Sequence, residues 1–217
     1  MTKPLILGMV VLTALIGLMS PLAADVNSSS DLSSVGVQTR ETSLGDLVTD
    51  AVTAGAGISL ALIPAGSFRE ITIPKGTVKP DDIVKGLQYP DDKISVIELT
   101  GNQITQALER SVSIYSQKNL GFLQVSGISF TFNPGSPKGS RVTSITIDGA
   151  KIAGDRKYRV ATTEPLADGA YGYFTIWGKN LKPSPTNKTT ERAVTDYLSK
   201  HNSIDYVRLD RIMVKGK

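Results

Sequence analysis

The stretch 98–133 changes its hydrophobic period part-way along. After Gly101, the apolar residues Ile104, Ala107, Leu108, Val112 and Tyr115 recur at steps of three and four, which places them on one face of a helix. Asn119 and Gly121 close that unit. Ile128, Phe130 and Phe132 then alternate with Ser129 and Thr131, the period of a half-buried strand. A helix set between two strands predicts a nucleus for the core.

Elsewhere the same reading gives a helix over 40–54. Ser43 is its expected cap, Asp46 sits in its first turn where negative charge is favoured, and Gly55 and Gly57 end it. The run 58–63, apolar except for Ser59, predicts a central strand. A short helix follows Pro80, then strands at 93–99, 141–147 and 158–163, with a hairpin turn at Asp148-Gly149. The segments 164–177 and 182–189 read as loops, 190–200 as a helix with Ala193, Val194, Tyr197 and Leu198 inward, and 206–214 as a closing strand. Helices and strands alternate irregularly, which predicts a single α+β (mixed α/β) domain, a mixed sheet with packed helices.

The N-terminus differs in kind. Lys3 precedes an uncharged apolar run over 5–19, and Ser20-Pro21-Leu22-Ala23-Ala24 has the small residues of a processing site. Residues 1–24 therefore read as a signal peptide cleaved near Ala24, its apolar run being shorter than the roughly 20 residues that span a bilayer. Residues 25–38, rich in Ser, read as a flexible leader, and 39–217 as the domain. With no cysteine, lipid anchoring after the apolar run and disulfides are both excluded, so a periplasmic or secreted location is expected with no membrane contact after cleavage. The net charge of +4 is spread along the chain without a basic run interleaved with aromatics, and no nucleic-acid partner is expected.

Four ordered stretches resemble the C-terminal domain of the 5′-nucleotidase family. RETSLGDLVTDA (40–51) is similar to its Arg-Glu…Leu-Gly-Asn-Leu…Asp-Ala signature, and PAGSFREITIPKGTVKPDDI (64–83) to its Gly-Gly-Ile-Arg loop and the turn beyond. ELTGNQITQALERS with FLQVSGISFTF (98–132) is the third, Phe-Leu-Gln-Val-Ser-Gly being its most specific piece. YRVATTEPLADGAYGYF (158–174) resembles the family's strand and Gly-Gly-Asp-Gly-Phe loop. The resemblance implies a nucleotide-binding domain whose hydrolytic partner is a separate metallophosphatase domain with two metal ions. Such a site needs several His, Asp and Asn ligands. This chain has one histidine, His201, in a polar stretch that reads as solvated surface, and neither a cysteine nor a Gly-x-Ser-x-Gly nucleophile motif. No catalytic residue, metal ligand or cofactor is expected in it.

Carried over residue by residue, the family's binding site is partly retained. The phosphate-holding arginine of the Gly-Gly-Ile-Arg loop matches Arg69, apt for two parallel hydrogen bonds to phosphate, or else for tying down its own loop with Glu70. An earlier phosphate arginine falls on Gln38, with Arg40 two residues on as a substitute, and the asparagine before the glycine loop falls on Pro64. Of the two rings that clamp the base, one is either supplied by Tyr89, one residue out of step, or lost. The other falls on Pro165, and the loop aspartate on Tyr171. Tyr173 matches a core aromatic, while Gln124 and Ser126 are expected to satisfy buried backbone. The function implied is an exported domain that binds a nucleotide or another phosphorylated small molecule in nucleotide catabolism, without catalysis of its own. The alternatives are a specificity subunit that docks on a separate metallophosphatase chain, and a non-binding structural or interaction relic.

Overall fold

The computed structural model describes residues 25–178, 181–208 and 210–216. The signal-peptide segment lies outside them. In chain order the elements are β1 (Val26–Ser28), β2 (Leu32–Ser33), α1 (Ser43–Ala56), β3 (Leu60–Pro64), β4 (Thr72–Ile73), β5 (Gly76–Val78), α2 (Pro80–Val84), β6 (Lys93–Thr100), α3 (Gly101–Ser111), β7 (Leu123–Ser126), β8 (Ile128–Phe132), β9 (Val142–Ile147), β10 (Ala150–Lys151), β11 (Lys157–Thr163), α4 (Glu164–Ala167), α5 (Phe174–Trp177), β12 (Ser184–Thr189), α6 (Thr190–Leu198), β13 (Ser203–Ile204) and β14 (Ile212–Val214). Single 3-10 turns lie at Ala65–Ser67 and Ala170–Gly172.

A mixed five-stranded sheet in the order β12-β6-β11-β3-β7 forms the centre. β11 runs parallel to β3, and the other neighbours are antiparallel. The consecutive apolar residues 60–63 give β3 buried side chains on both faces, as a central strand requires. A second sheet, β10-β9-β8-β14, carries the alternating Ile128, Phe130 and Phe132. Helix α1 packs on β3 and β7 and against α6, while α3 bridges β6 and β9. This is the expected mixed α/β domain.

Helix α3 forms where its periodicity places it. Thr100 caps it, accepting from the Gln103 amide at 3.2 Å while Gln103 reaches back to the Thr100 amide at 2.9 Å. Ile104, Ala107, Leu108 and Val112 are fully buried. The cap of α1 is Thr42, not Ser43: its hydroxyl accepts from the Gly45 amide at 3.2 Å. Gly57, at φ 65°, ends α1 in the left-handed conformation that favours glycine.

Four expectations are corrected. Residues 25–38 are an ordered part of the fold: β1 pairs with β5 and β13, β2 pairs with β4, and Val26, Leu32 and Val37 are buried. Three anchors suffice there, although the polar residues between them hide the pattern. The segment 164–177 holds the short helices α4 and α5 about a tight turn. Residues Ser184–Thr189 form the edge strand β12, where Pro185 costs no ladder bond on the solvent side and Thr186 Oγ1 donates to the Ile94 carbonyl at 2.8 Å. Among the described residues only Ile212–Val214 of the expected closing strand forms a strand, because Tyr206 and the Arg211 side chain turn toward Asp50 on α1, although the Arg211 carbonyl still accepts from the Phe130 amide at 2.8 Å.

Candidate functional site

The parallel pair β3 and β11 ends on one side in two chain reversals. After β3 the 3-10 turn Ala65–Ser67 leads to Phe68, which bridges to Leu87 and so draws the 86–92 turn alongside. After β11 the chain enters α4 and the turn Ala170–Gly172. Between these reversals lies a cavity of about 250 Å³, lined by Pro64, Ser67, Tyr89, Asp92, Thr163, Pro165 and Tyr171. Two of the four expected binding residues, Tyr89 and Tyr171, therefore meet at one site, together with Pro64 and Pro165.

Tyr171 has φ 56°, unusual for a residue with a side chain. Arg110 holds it there, its Nε donating to the Tyr171 carbonyl at 2.8 Å and its Nη2 to the same oxygen. The ring lies over Gly66, where an added Cβ would collide with the Tyr171 hydroxyl. Glycine is thus required at position 66 by close approach. An aspartate tolerates the left-handed conformation far better than a tyrosine, so retention of the loop's shape with Tyr171 in it is held by tertiary contacts and not by local preference.

Asp92 is an addition that the sequence reading missed, since it sits in a polar turn with no motif of its own. Burial, then the nearby Glu164 and Asp91, push its carboxyl above the usual carboxylate range. Burial, then Tyr89 and Asp92, push the Tyr171 phenol up as well, which keeps it a hydrogen-bond donor at neutral pH. The lining thus combines aromatic faces with hydroxyl and carboxyl groups and holds no cationic side chain.

Arg69 lies outside this lining. It is exposed, and its Nε donates to Gln88 Oε1 at 3.2 Å, beside Tyr89. Glu70, the alternative partner for Arg69, instead pairs with Lys118, at 3.7 Å. Arg40 is not brought to the cavity: its Nε and Nη2 donate to the Val35 carbonyl at 3.2 and 2.9 Å, closing the loop before α1. Gln124 is structural, accepting from Thr42 and donating to the Val37 and Arg40 carbonyls. Tyr173 is fully buried and donates to the Gly121 carbonyl at 2.7 Å. His201 is half-buried and packs on Tyr197, with ring centroids 4.2 Å apart. Among the described residues no group of three or more His, Cys, Asp or Glu is placed to hold a metal ion.

The family described as 5′-nucleotidase, C-terminal domain, matches residues 19–178. This chain belongs to that family. A 5′-nucleotidase precursor from Thermus thermophilus superposes with a TM-score of 0.79 at 28% identity, over 88% of this chain and 39% of that one. The trifunctional nucleotide phosphoesterase protein YfkN of Bacillus subtilis is 34% identical over 146 residues, 63% of this chain and 10% of its own length. A cell wall protein of Listeria monocytogenes, Lmo0130, is 27% identical over 157 residues, 67% of this chain and 20% of its own. The 5′-nucleotidase C-terminal domain seen here thus spans well under half the length of these relatives. Among the described residues no helix is long and apolar enough to cross a membrane.

Proposed function

We propose that this domain binds a nucleotide, base inward and phosphate outward, and supplies recognition rather than bond cleavage. The observation that carries the reading is the convergence of Tyr89, Tyr171, Pro165 and Asp92 on one cavity, with Arg69 bonded to Gln88 beside its Tyr89 wall. A volume of about 250 Å³ falls below the roughly 300 Å³ at which whole-ligand pockets begin, and suits a nucleobase better than a complete nucleotide. The acid group of Asp92 repels phosphate from the floor and accepts hydrogen bonds from base N–H groups. Tyr89, 54% exposed, offers a ring face at the mouth, and Arg69 offers the cation outside it. Family membership supports a nucleotide-related role, and the cell-wall relative supports export to a periplasmic or secreted location.

Calorimetric titration with nucleoside monophosphates and diphosphates tests this. Binding is expected to weaken about tenfold in Arg69→Ala, equal to one charge-assisted hydrogen bond of about 1.4 kcal/mol, and by a similar factor in Tyr89→Ala through lost stacking. A blank titration at millimolar nucleotide sinks the reading, and so does binding that neither substitution alters.

The surface around the cavity favours a second role for the same site. Tyr89, Leu120 and Phe174 are all more than half exposed, and Leu120 and Phe174 flank the Gly66 and Gly169 turns. Exposed apolar side chains on the turns that neighbour the cavity suit docking of a metallophosphatase partner. Co-purification of this chain with such a partner, lost in Phe174→Glu, is the corresponding test.

A further inference from the structure

The opposite end of β3 and β11 holds a second, larger concavity of about 400 Å³, between the starts of both strands and the β9–β10 hairpin. Lys151, Arg156, Lys157 and Arg159 line it, with Asp148 as the sole carboxylate of the lining. Lys157 is engaged at 2.8 Å by Glu98, which also lies opposite Arg159 in the strand register. Asp155, the other acid near, accepts from Asn102 Nδ2 at 3.3 Å. None of the ion pairs among the described residues engages Lys151, Arg156 or Arg159.

An aromatic ring backs part of this wall. The guanidinium of Arg156 lies 5.1 Å from the centroid of the Tyr158 ring. That ring is buried, and its hydroxyl accepts from the Ala153 amide at 3.1 Å. A guanidinium held over a ring face can still turn its N–H groups outward, and a phosphate meets such a group with two parallel bonds. Asp148 at φ 51° and Gly149 at φ 76° reverse the hairpin so that Lys151 returns toward the cleft. A concave wall concentrates the field of these cations more than a flat surface does.

We infer that this cleft is a second binding site, for a phosphate-bearing anion of two or more charges, independent of the nucleotide cavity at the other end of the sheet. Phosphate of this kind comes either free, as an oligophosphate, or on an anionic lipid headgroup, and the test separates the two. The purified protein is titrated calorimetrically with tripolyphosphate at low and at physiological salt, and sedimented with anionic phospholipid vesicles. Arg156→Glu and the double variant Lys151→Glu, Arg159→Glu are compared with Lys200→Glu, which changes net charge elsewhere. All four positions are exposed, so the variants are expected to keep the parent's melting temperature.

Saturable tripolyphosphate binding that falls at least tenfold in the cleft variants and less than twofold in Lys200→Glu supports a free-phosphate site. Vesicle binding with the same pattern, and no tripolyphosphate binding, supports a headgroup site. No saturable binding to either probe at low salt overturns the inference, as does an equal loss in Lys200→Glu, which marks non-specific attraction. Loss of nucleotide binding at the other cavity leaves this result untouched, so the two readings fail separately.

Discussion

Arg211→Met is expected to destabilise the fold by about 3 kcal/mol, the largest loss from any single substitution considered. The guanidinium forks onto Asp50, with Nη1 to Oδ1 at 2.8 Å and Nη2 to Oδ2 at 2.9 Å. Nη1 also donates to the Val125 carbonyl at 3.0 Å, and Nε lies 3.7 Å from Asp46 Oδ2. One side chain thus links β14's approach to α1 and β7. Removing one partner of a buried pair typically costs about 3–5 kcal/mol, because the other charge is left uncompensated. The Arg211 side chain is 21% exposed, which points to the lower end. For a domain of this size, that loss lowers Tm by roughly 6–12 °C. Urea denaturation gives the figure directly. Arg211→Lys keeps the charge but loses the fork, and is expected to fall between the parent and Arg211→Met. A loss below about 1 kcal/mol in Arg211→Met would show that water screens the cluster.

The second large effect has the opposite sign. Asp46→Asn is expected to stabilise the protein, by an amount that grows with pH. Asp46 is 1% exposed, and among the described residues neither of its carboxyl oxygens finds a hydrogen-bond partner. Burial raises its pKa from 3.8 to about 9, against the pull of Arg211 and with help from Glu41 and Asp50. The folded state therefore holds a proton on Asp46 that the unfolded chain releases above about pH 4. Stability falls as pH rises through that window and levels off above about 9. Asparagine has the same shape, needs no proton and carries no such slope. The gain is expected to be near zero at about pH 4 and on the order of 1–4 kcal/mol at about pH 8. Urea melts of both proteins across this pH range check it. A gain that stays constant with pH would place the ionised form in the folded protein.

Asp46 also shows where the sequence was legible and where it was not. It stands at the asparagine of the family's signature, and read along the chain it looks like a favourable charge at a helix start. Only burial in three dimensions, opposed by Arg211 and helped by the approach of Glu41 and Asp50, makes it a neutral interior group. The long periodic elements were readable because burial repeats along them: α3, β3 and β8 are where the pattern of Ile, Leu, Val and Phe places them. The strands β1, β2 and β12 were not, since two to six residues with mostly polar side chains carry no period. Tyr89 and Tyr171 were readable through resemblance, as deviations at positions of known shape. Asp92 carried no signal, because its role comes from the closure of two turns 75 residues apart in sequence at Tyr89 and Glu164.

The pairing of β1 with β13 joins Asn27 to Ser203 and closes nearly the whole chain into a loop. Contacts of such separation are the slowest to form, because the entropy of closing the loop must be met first. Acidic residues in and just before α1 share this dependence, since Asp50 waits for Arg211, and Glu41 for the amides of Arg211 and Ile212. On the ribosome, then, α1 emerges long before it is neutralised: Glu41, Asp50 and the edge of β1 that meets β13 stay open until the segment from Ser203 to Ile212 has left the exit tunnel.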